Sequence, residues 1–295
     1  MESWGGKDLY LSFHPSLIRG TTGDLRRRVE LARAAGYQAL DWTYREAEQI
    51  IAGPGESTAF WQAAGLRSGM VSGVFSARLL APDAEFEAAL AATPARARQV
   101  AAAGGTMTGV VLPNRSALPE AEARAMVRRR LRHLAEAVTA AGLRLGVEFI
   151  GVRTLHPELP HPLLPQYTQV LELLEDVGVE DVGLIVDSYH CHASGTPWSQ
   201  IASTPASRIV HLHINDCKDI PLAEIDDRQR LLPGEGVIAL ADWFAALAAT
   251  GFTGGVSPEI LGPRLDGVPP SEAAETCRRG ILAAMRAGGA DVTVQ

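Results

Sequence analysis

Short apolar runs alternate with longer amphipathic stretches along the whole chain. Apolar runs of about six residues bounded by glycine or polar residues are typical of buried strands, and longer stretches with apolar residues at helical spacing are typical of helices. The runs predict eight strands, at residues 8–13, 37–42, 66–75, 106–113, 143–149, 182–187, 208–214 and 254–259.

A helical pattern follows each predicted strand. Asp24 is a suitable N-terminal cap for the first helix, which Gly36 would end. Further helices are predicted from about residues 45, 83, 119, 164, 198, 239 and 271. Eight strand–helix units without a low-complexity linker predict an α/β protein, a single (β/α)8 TIM barrel over residues 1–295. An open doubly wound sheet is the alternative, but it needs a glycine-rich phosphate turn that HPSLIRGTTGD matches poorly.

Four of the predicted strands end on side chains that can bind a divalent metal, namely Glu148, Asp187, His213 and Glu259. Because the carboxyl ends of parallel strands meet at one mouth of a barrel, we expect these four side chains to surround one ion. Three carboxylates and one imidazole form a mainly oxygen site, for which we expect Mn²⁺, with Co²⁺, Mg²⁺ or Zn²⁺ as alternatives. A salt bridge to a barrel arginine is the alternative for each glutamate, and capping of the next helix is the alternative for Asp187.

The alternation of side chains along each strand separates two candidate histidines. Positions two apart share a face, so His211 and His213 fall on one side of their strand and Val210 on the other. The larger apolar set of each strand would cover the helices, which leaves the polar set inside the barrel. His213 lies nearer the end of the strand and is the expected ligand, whereas His211 is expected to support it from one layer deeper.

Other polar side chains are expected at the same mouth. His190 lies close behind the strand that ends at Asp187, and His14 and Trp42 follow or end the first two strands. We expect all three to bind substrate, the Trp42 indole by stacking on the apolar face of a ligand ring, although ordinary packing explains Trp42 equally well.

The segment 215–238 is too long for an ordinary connection, which has about 2–6 residues in folds of this kind. A long loop at a barrel mouth is typically functional. We expect Arg228 to reach a substrate oxygen and Asp216 to orient neighbouring groups, with a solvated loop charge as the alternative for each.

Composition narrows the function classes. The chain has 34 acidic and 27 basic residues, a net charge of −7, which argues against a nucleic-acid partner. Three cysteines without paired spacing indicate reduced thiols, and Cys191 and Cys217 are interpreted as packing residues. The sequence has no signal-peptide pattern and no apolar stretch long enough for a membrane helix. The expectation is a cytoplasmic protein without a membrane partner, with a homo-oligomer as an open alternative to a monomer.

Several motifs resemble those of the sugar phosphate isomerase/epimerase superfamily, the xylose-isomerase-like barrels. They are GVEFIG, IVDSYHCHASG, HLHINDCKDIPLAEIDDRQRLLPGEGVI and TGFTGGVSPEIL, and the third is particularly similar to the inosose isomerases. The resemblance implies a TIM barrel whose metal is held by Glu148, Asp187, His213 and Glu259, with substrate contacted by His190. Ketose 3-epimerases usually follow the ligand histidine with Gly-Glu, whereas this chain has Asn215 and Asp216.

These observations together predict a metal-dependent isomerase or epimerase of a keto-sugar or inosose. The reaction would pass through an enediolate, with Glu148 and Glu259 moving the proton in an order that the residues leave open. A dehydratase of an inosose or dehydroshikimate-like cyclitol is the alternative, because loss of a β-hydroxyl starts from the same enediolate. An endonuclease would need further metal ligands and a basic groove, and the acidic charge balance opposes it.

Overall fold

Eight parallel strands close into a barrel in the computed structural model, which describes residues 9–18, 25–51 and 56–289. Each strand pairs with its neighbours in the chain, and the last strand pairs with the first. The strands are β1 Tyr10–Phe13, β2 Ala39–Thr43, β3 Arg67–Ser72, β4 Met107–Val111, β5 Arg144–Glu148, β6 Val182–Asp187, β7 Ile209–Ile214 and β8 Gly255–Pro258. The predicted (β/α)8 barrel is confirmed, and the ends of every observed strand lie within two residues of the predicted ones except at the end of β3.

Ten α-helices lie within the described residues. They are α1 Leu25–Ala34, α2 Ala47–Ile50, α3 Glu56–Ala64, α4 Asp83–Ala102, α5 Glu120–Thr139, α6 Tyr167–Val177, α7 Ser188–Ala193, α8 Trp198–Ala202, α9 Leu240–Thr250 and α10 Pro270–Ala287. The short helix α7 was not predicted, nor was a two-stranded antiparallel ribbon between Arg115–Ser116 and His161–Pro162. The predicted cap Asp24 lies outside the described residues.

The main hydrophobic core lies between the strands and the helices. Strand residues such as Leu145, Val147 and Leu184 are fully buried against helix residues such as Leu131 and Leu174. Burying a side chain of this size contributes roughly 1.5–3 kcal/mol. This shell holds the strands in register, so the strand ends that carry polar groups are fixed in position. None of the helices in the described ranges is both long and apolar enough to cross a membrane.

A second, smaller apolar cluster is formed by Met70, Met107, Ile185 and Val210. A β-carbon on Gly146 would lie 2.7 Å from Ile185 Cγ1, so glycine makes room for this side chain inside the barrel. The prediction that Val210 faces the helices is wrong. The register between β6 and β7 shifts at this point, because Leu184 pairs with Ile209 and Ile185 with His211. Val210 is therefore an extra residue whose side chain joins the interior cluster.

Candidate metal centre

Four strands bring one carboxylate or imidazole each to a single point at the mouth. Glu148 ends β5, Asp187 ends β6, His213 lies on β7, and Glu259 directly follows β8. One ligand atom from each of these residues lies within 4.8 Å of all the others, and we call the four the ligand cluster. Glu148 and His213 are each 5% exposed, and Asp187 is fully buried. Removal of these groups from water is unfavourable unless positive charge balances the carboxylates.

His213 supplies part of that positive charge. Its Nδ1 lies 2.8 Å from Glu148 Oε1 and 3.5 Å from Glu259 Oε2. Burial alone would lower the pKa of His213, but the two glutamates outweigh burial and raise it to about 10. Burial raises the pKa of Glu148 above its usual range. The pKa of Glu259 lies below its usual range, because His213 and Arg230 outweigh the opposite effect of burial.

Arg230 supplies a second positive charge, and the sequence analysis did not identify it. Its side chain is 1% exposed, and Nη1 donates to Asp187 Oδ2 and Glu259 Oε2, both at 2.7 Å. Nη2 donates to Asp227 Oδ1 at 2.7 Å and lies 3.2 Å from His190 Nε2. The surrounding carboxylates raise the pKa of Arg230 despite its burial. A salt bridge to an arginine was the alternative to metal binding for each glutamate. Arg230 forms that salt bridge with Glu259, and it also binds Asp187.

Arg228, the arginine predicted to reach substrate, is exposed and lies outside the cluster. Its backbone N–H donates to Asp226 Oδ1, and its side chain lines a surface pocket beside Lys218. The structure places Arg230, and not Arg228, at the ligand cluster. The difference arises because Leu231 forms an antiparallel bridge with Asp216, which draws the neighbouring Arg230 towards the mouth.

Asp187 has the capping role that was the alternative for it, and it also pairs with Arg230. Its Oδ1 accepts a hydrogen bond from the N–H of Tyr189 at 2.6 Å and thereby caps helix α7. Its Oδ2 accepts from Arg230, and both oxygens lie within 3.3 Å of Asn215 Nδ2. The capped helix places His190 next to Arg230, where it is fully buried. His190 therefore lies at the site, in contact with Arg230, and the substrate contact expected for it stays a prediction.

His14 lies in the mouth, as predicted. Its Nδ1 accepts from the backbone N–H of Ser16 at 3.1 Å, which directs Nε2 towards Glu259 Oε1 at 3.7 Å. The His14 and His213 rings meet edge to face with their centroids 5.6 Å apart. Burial lowers the pKa of His14 despite the attraction of Glu259. His14 therefore lies against the His213 and Glu259 side of the ligand cluster.

Trp42 does not line the mouth, so that prediction is wrong. The indole is buried, donates from Nε1 to Ser68 Oγ at 2.8 Å, and packs against Trp61 among the helices. The reason is strand alternation, because the preceding residue, Asp41, takes the inward position on β2.

Asp41 organises a polar layer beneath the ligand cluster. Its two oxygens accept hydrogen bonds from Ser12 Oγ and Ser257 Oγ, both at 2.5 Å. Because the Ser257 hydroxyl donates to Asp41, its oxygen accepts from His211 Nε2 at 2.7 Å. Burial lowers the pKa of His211 to about 4, so the ring is neutral near pH 7. His211 thus has the supporting position expected for it. Asp41 was not predicted, although strand alternation in YQALDW could have indicated it.

The loop 215–238 is held by one carboxylate. Asp216 accepts the backbone N–H groups of Cys217, Gly234, Gly236 and Ile238 at 2.9–3.0 Å. A β-carbon on Gly236 would lie 2.0 Å from the carbonyl oxygen of Cys217, so this close approach requires glycine. Asp216 therefore orients the loop that carries Arg230, in line with the role expected for it.

The ligand cluster fits a hard divalent cation. It offers three carboxylates and one imidazole within the span of one coordination sphere, and the two glutamates are not fully neutralised by Arg230.

Cys191 and Cys217 are buried free thiols, and burial raises the pKa of both, as expected for packing residues.

Comparisons with known proteins agree with the barrel fold. The profile of a family described as xylose isomerase-like TIM barrel matches residues 29–281. The chain is 32% identical over 148 residues to an inosose isomerase of Halalkalibacterium halodurans, a match that covers 50% of each protein. The chain thus spans about half the length of the curated relatives it matches.

Two solved structures share the fold over nearly the whole chain. One is a xylose isomerase domain protein from Alicyclobacillus acidocaldarius, with a TM-score of 0.83 and 26% identity over 95% of this chain and 99% of that one. The other is the IolI protein with a bound zinc atom, with a TM-score of 0.78 and 20% identity over 93% of this chain and 97% of that one.

Proposed function

The chain belongs to the xylose isomerase-like TIM barrel family, and on that premise we propose that it is a metal-dependent isomerase or epimerase of a keto-sugar or inosose. The observation that carries the proposal is the convergence of the ligand cluster at the barrel mouth. The similarity to inosose isomerases supports a polyhydroxylated cyclic or open-chain ketone as substrate.

The four residues of the ligand cluster would hold the cation, which we propose to be divalent, with Mn²⁺ as the expected ion. When bound, the cation supplies electrophilic polarisation of the substrate carbonyl, which acidifies the adjacent C–H. The zinc atom named for the IolI structure supports a divalent ion in a protein of this fold.

Two glutamates at opposite ends of the cluster would move the proton. Around the barrel β5 and β8 flank β6 and β7, so Glu148 and Glu259 approach a bound substrate from two sides. Arg230 holds Glu259 but not Glu148, and a carboxylate paired with arginine is a weaker base and, once protonated, a stronger acid. We therefore assign proton removal to Glu148 and proton return to Glu259, which first takes up a proton from solvent because its lowered pKa keeps it ionised in the resting site.

The remaining polar groups would position these two carboxylates. Every N–H of the Arg230 guanidinium faces a protein partner, which makes Arg230 a positioning residue for Asp187 and Glu259. His14 lies beside Glu259 and is available to donate from Nε2 to a substrate oxygen. A site whose reacting groups are fixed before substrate binds needs little reorganisation during the reaction.

The test is a panel of inososes and keto-sugars incubated with the protein and Mn²⁺ in D₂O, with the products identified by NMR. Deuterium at the carbon next to the carbonyl, in a product of unchanged composition, supports an isomerase or epimerase. A product that has lost water indicates the dehydratase instead. A chelator should abolish turnover, and Mn²⁺ or Co²⁺ should restore it. Equal turnover with and without chelator contradicts the metal assignment.

A further inference from the structure

A cavity of about 620 Å³ lies over the carboxyl ends of β2 and β3, on the same face of the barrel as the ligand cluster. Thr43 and Ser72, which end the two strands and pair in register, form part of its wall. Pro15 lines it as well and directly follows His14, whose Nε2 lies 3.7 Å from Glu259 Oε1. The cavity therefore borders the mouth that holds the ligand cluster, on the side of β1 to β3.

The cavity carries an excess of positive charge. Arg28, Arg45 and Arg96 line it, together with a single carboxylate, that of Glu46. Arg28 is buried and forms its salt bridge with Glu46, so these two charges cancel. Within residues 9–18, 25–51 and 56–289, neither Arg45 nor Arg96 pairs with a carboxylate. Two arginines without a carboxylate partner therefore line one solvent-accessible cavity, a condition that favours an anionic ligand.

Two contacts orient the Arg96 guanidinium in the cavity. Its guanidinium lies 4.8 Å from the centroid of the Tyr44 ring, and Nη1 donates to the carbonyl oxygen of Val74 at 3.4 Å. Its other N–H groups have no acceptor in the part of the chain that the structure describes. A planar guanidinium fixed on an aromatic ring matches the paired oxygens of a phosphate or carboxylate and loses little conformational freedom on binding.

We infer that this cavity binds a negatively charged group, a phosphate or a carboxylate, at the far end of the substrate. The inference rests on the proposed function for the position of the reacting end. It departs from the curated relatives in one respect, because an inosose carries no charge. The substrate is then an anionic keto-sugar, anchored at Arg96 and Arg45 and converted at the ligand cluster.

The first test compares kcat/KM for three matched keto-sugars: one with a terminal phosphate, one with a terminal carboxylate, and the uncharged parent. The wild-type protein should prefer one of the charged sugars, and which one it prefers identifies the anion. R96A should reduce that preference roughly ten- to a hundredfold through KM, the effect of losing one charged hydrogen bond. R96K should retain part of it. R98A is the matched control, since Arg98 is exposed on the same helix and lies outside the cavity.

The second test needs no turnover and separates the two proposals. Chelator-treated protein is titrated with inorganic phosphate by calorimetry. Binding by wild type and R98A that is at least roughly tenfold weaker in R96A supports the inference, even if no sugar is converted and the proposed reaction fails. Equal binding by wild type and R96A, or no binding by wild type, overturns the inference. Conversion of an uncharged sugar without preference for a charged one would also overturn it, while leaving the proposed reaction intact.

Discussion

Replacement of Arg230 by methionine should destabilise the protein strongly when metal is absent. The guanidinium is 1% exposed and forms salt bridges of 2.7 Å with Asp187, Asp227 and Glu259. Methionine fills a similar volume but leaves these carboxylates without their cation. Removal of one partner from a buried ion pair costs about 3–5 kcal/mol of unfolding free energy. We expect a loss of that size in R230M.

Arg228 provides the matched control, because it is an exposed arginine two residues earlier that forms no ion pair within the described residues. R228M should change the unfolding free energy by no more than about 0.5 kcal/mol. The assay is urea unfolding followed by circular dichroism, for both variants and wild type, in chelator and in Mn²⁺. Metal should recover part of the loss in R230M, since the cation offsets the same carboxylates. Equal stability of R230M and R228M in chelator would refute the role assigned to Arg230.

Three further changes test the site and the loop. Glu148→Gln should leave the fold intact and lower kcat by orders of magnitude, and turnover at the wild-type rate would refute the assignment of Glu148 as the base. Asp216→Ala removes the acceptor of four backbone N–H groups and should lower the unfolding free energy by about 2–4 kcal/mol, whereas Asp219→Ala, at an exposed position of the same loop, should have little effect. Trp42→Phe removes the hydrogen bond to Ser68 and should lower stability by about 1 kcal/mol without changing KM, and a raised KM would contradict the placement of Trp42 among the helices.

The strands were predictable because a parallel sheet covered on both faces gives continuous apolar runs. VGLIVD and IVHLHI match β6 and β7 within one residue. The ends of these strands then pointed to the ligand cluster, since barrel topology alone brings strand ends together. Helix α7 escaped prediction because SYHCHA is short and lacks an apolar stripe, and because its formation depends on the cap that Asp187 provides.

The loop residues were not predictable on the same basis. Arg228 and Arg230 occupy equivalent positions in a run of polar residues, and no local pattern distinguishes them. The choice is made by a contact distant in sequence, the bridge between Asp216 and Leu231. Trp42 is a different case, because strict application of side-chain alternation to β2 would have placed Asp41 inside and Trp42 outside.

The ligand cluster is confined to four consecutive strands, and this has a consequence for protein engineering. Among the described residues, the loops after β2, β3 and β4 contribute no member of the ligand cluster, yet they border the same mouth. Mutant libraries restricted to those loops can therefore alter which molecules are accepted while leaving the chemical step untouched. The half of the barrel formed by β5 to β8 carries the ligand cluster, and the loops of the other half are the place to select for new specificities.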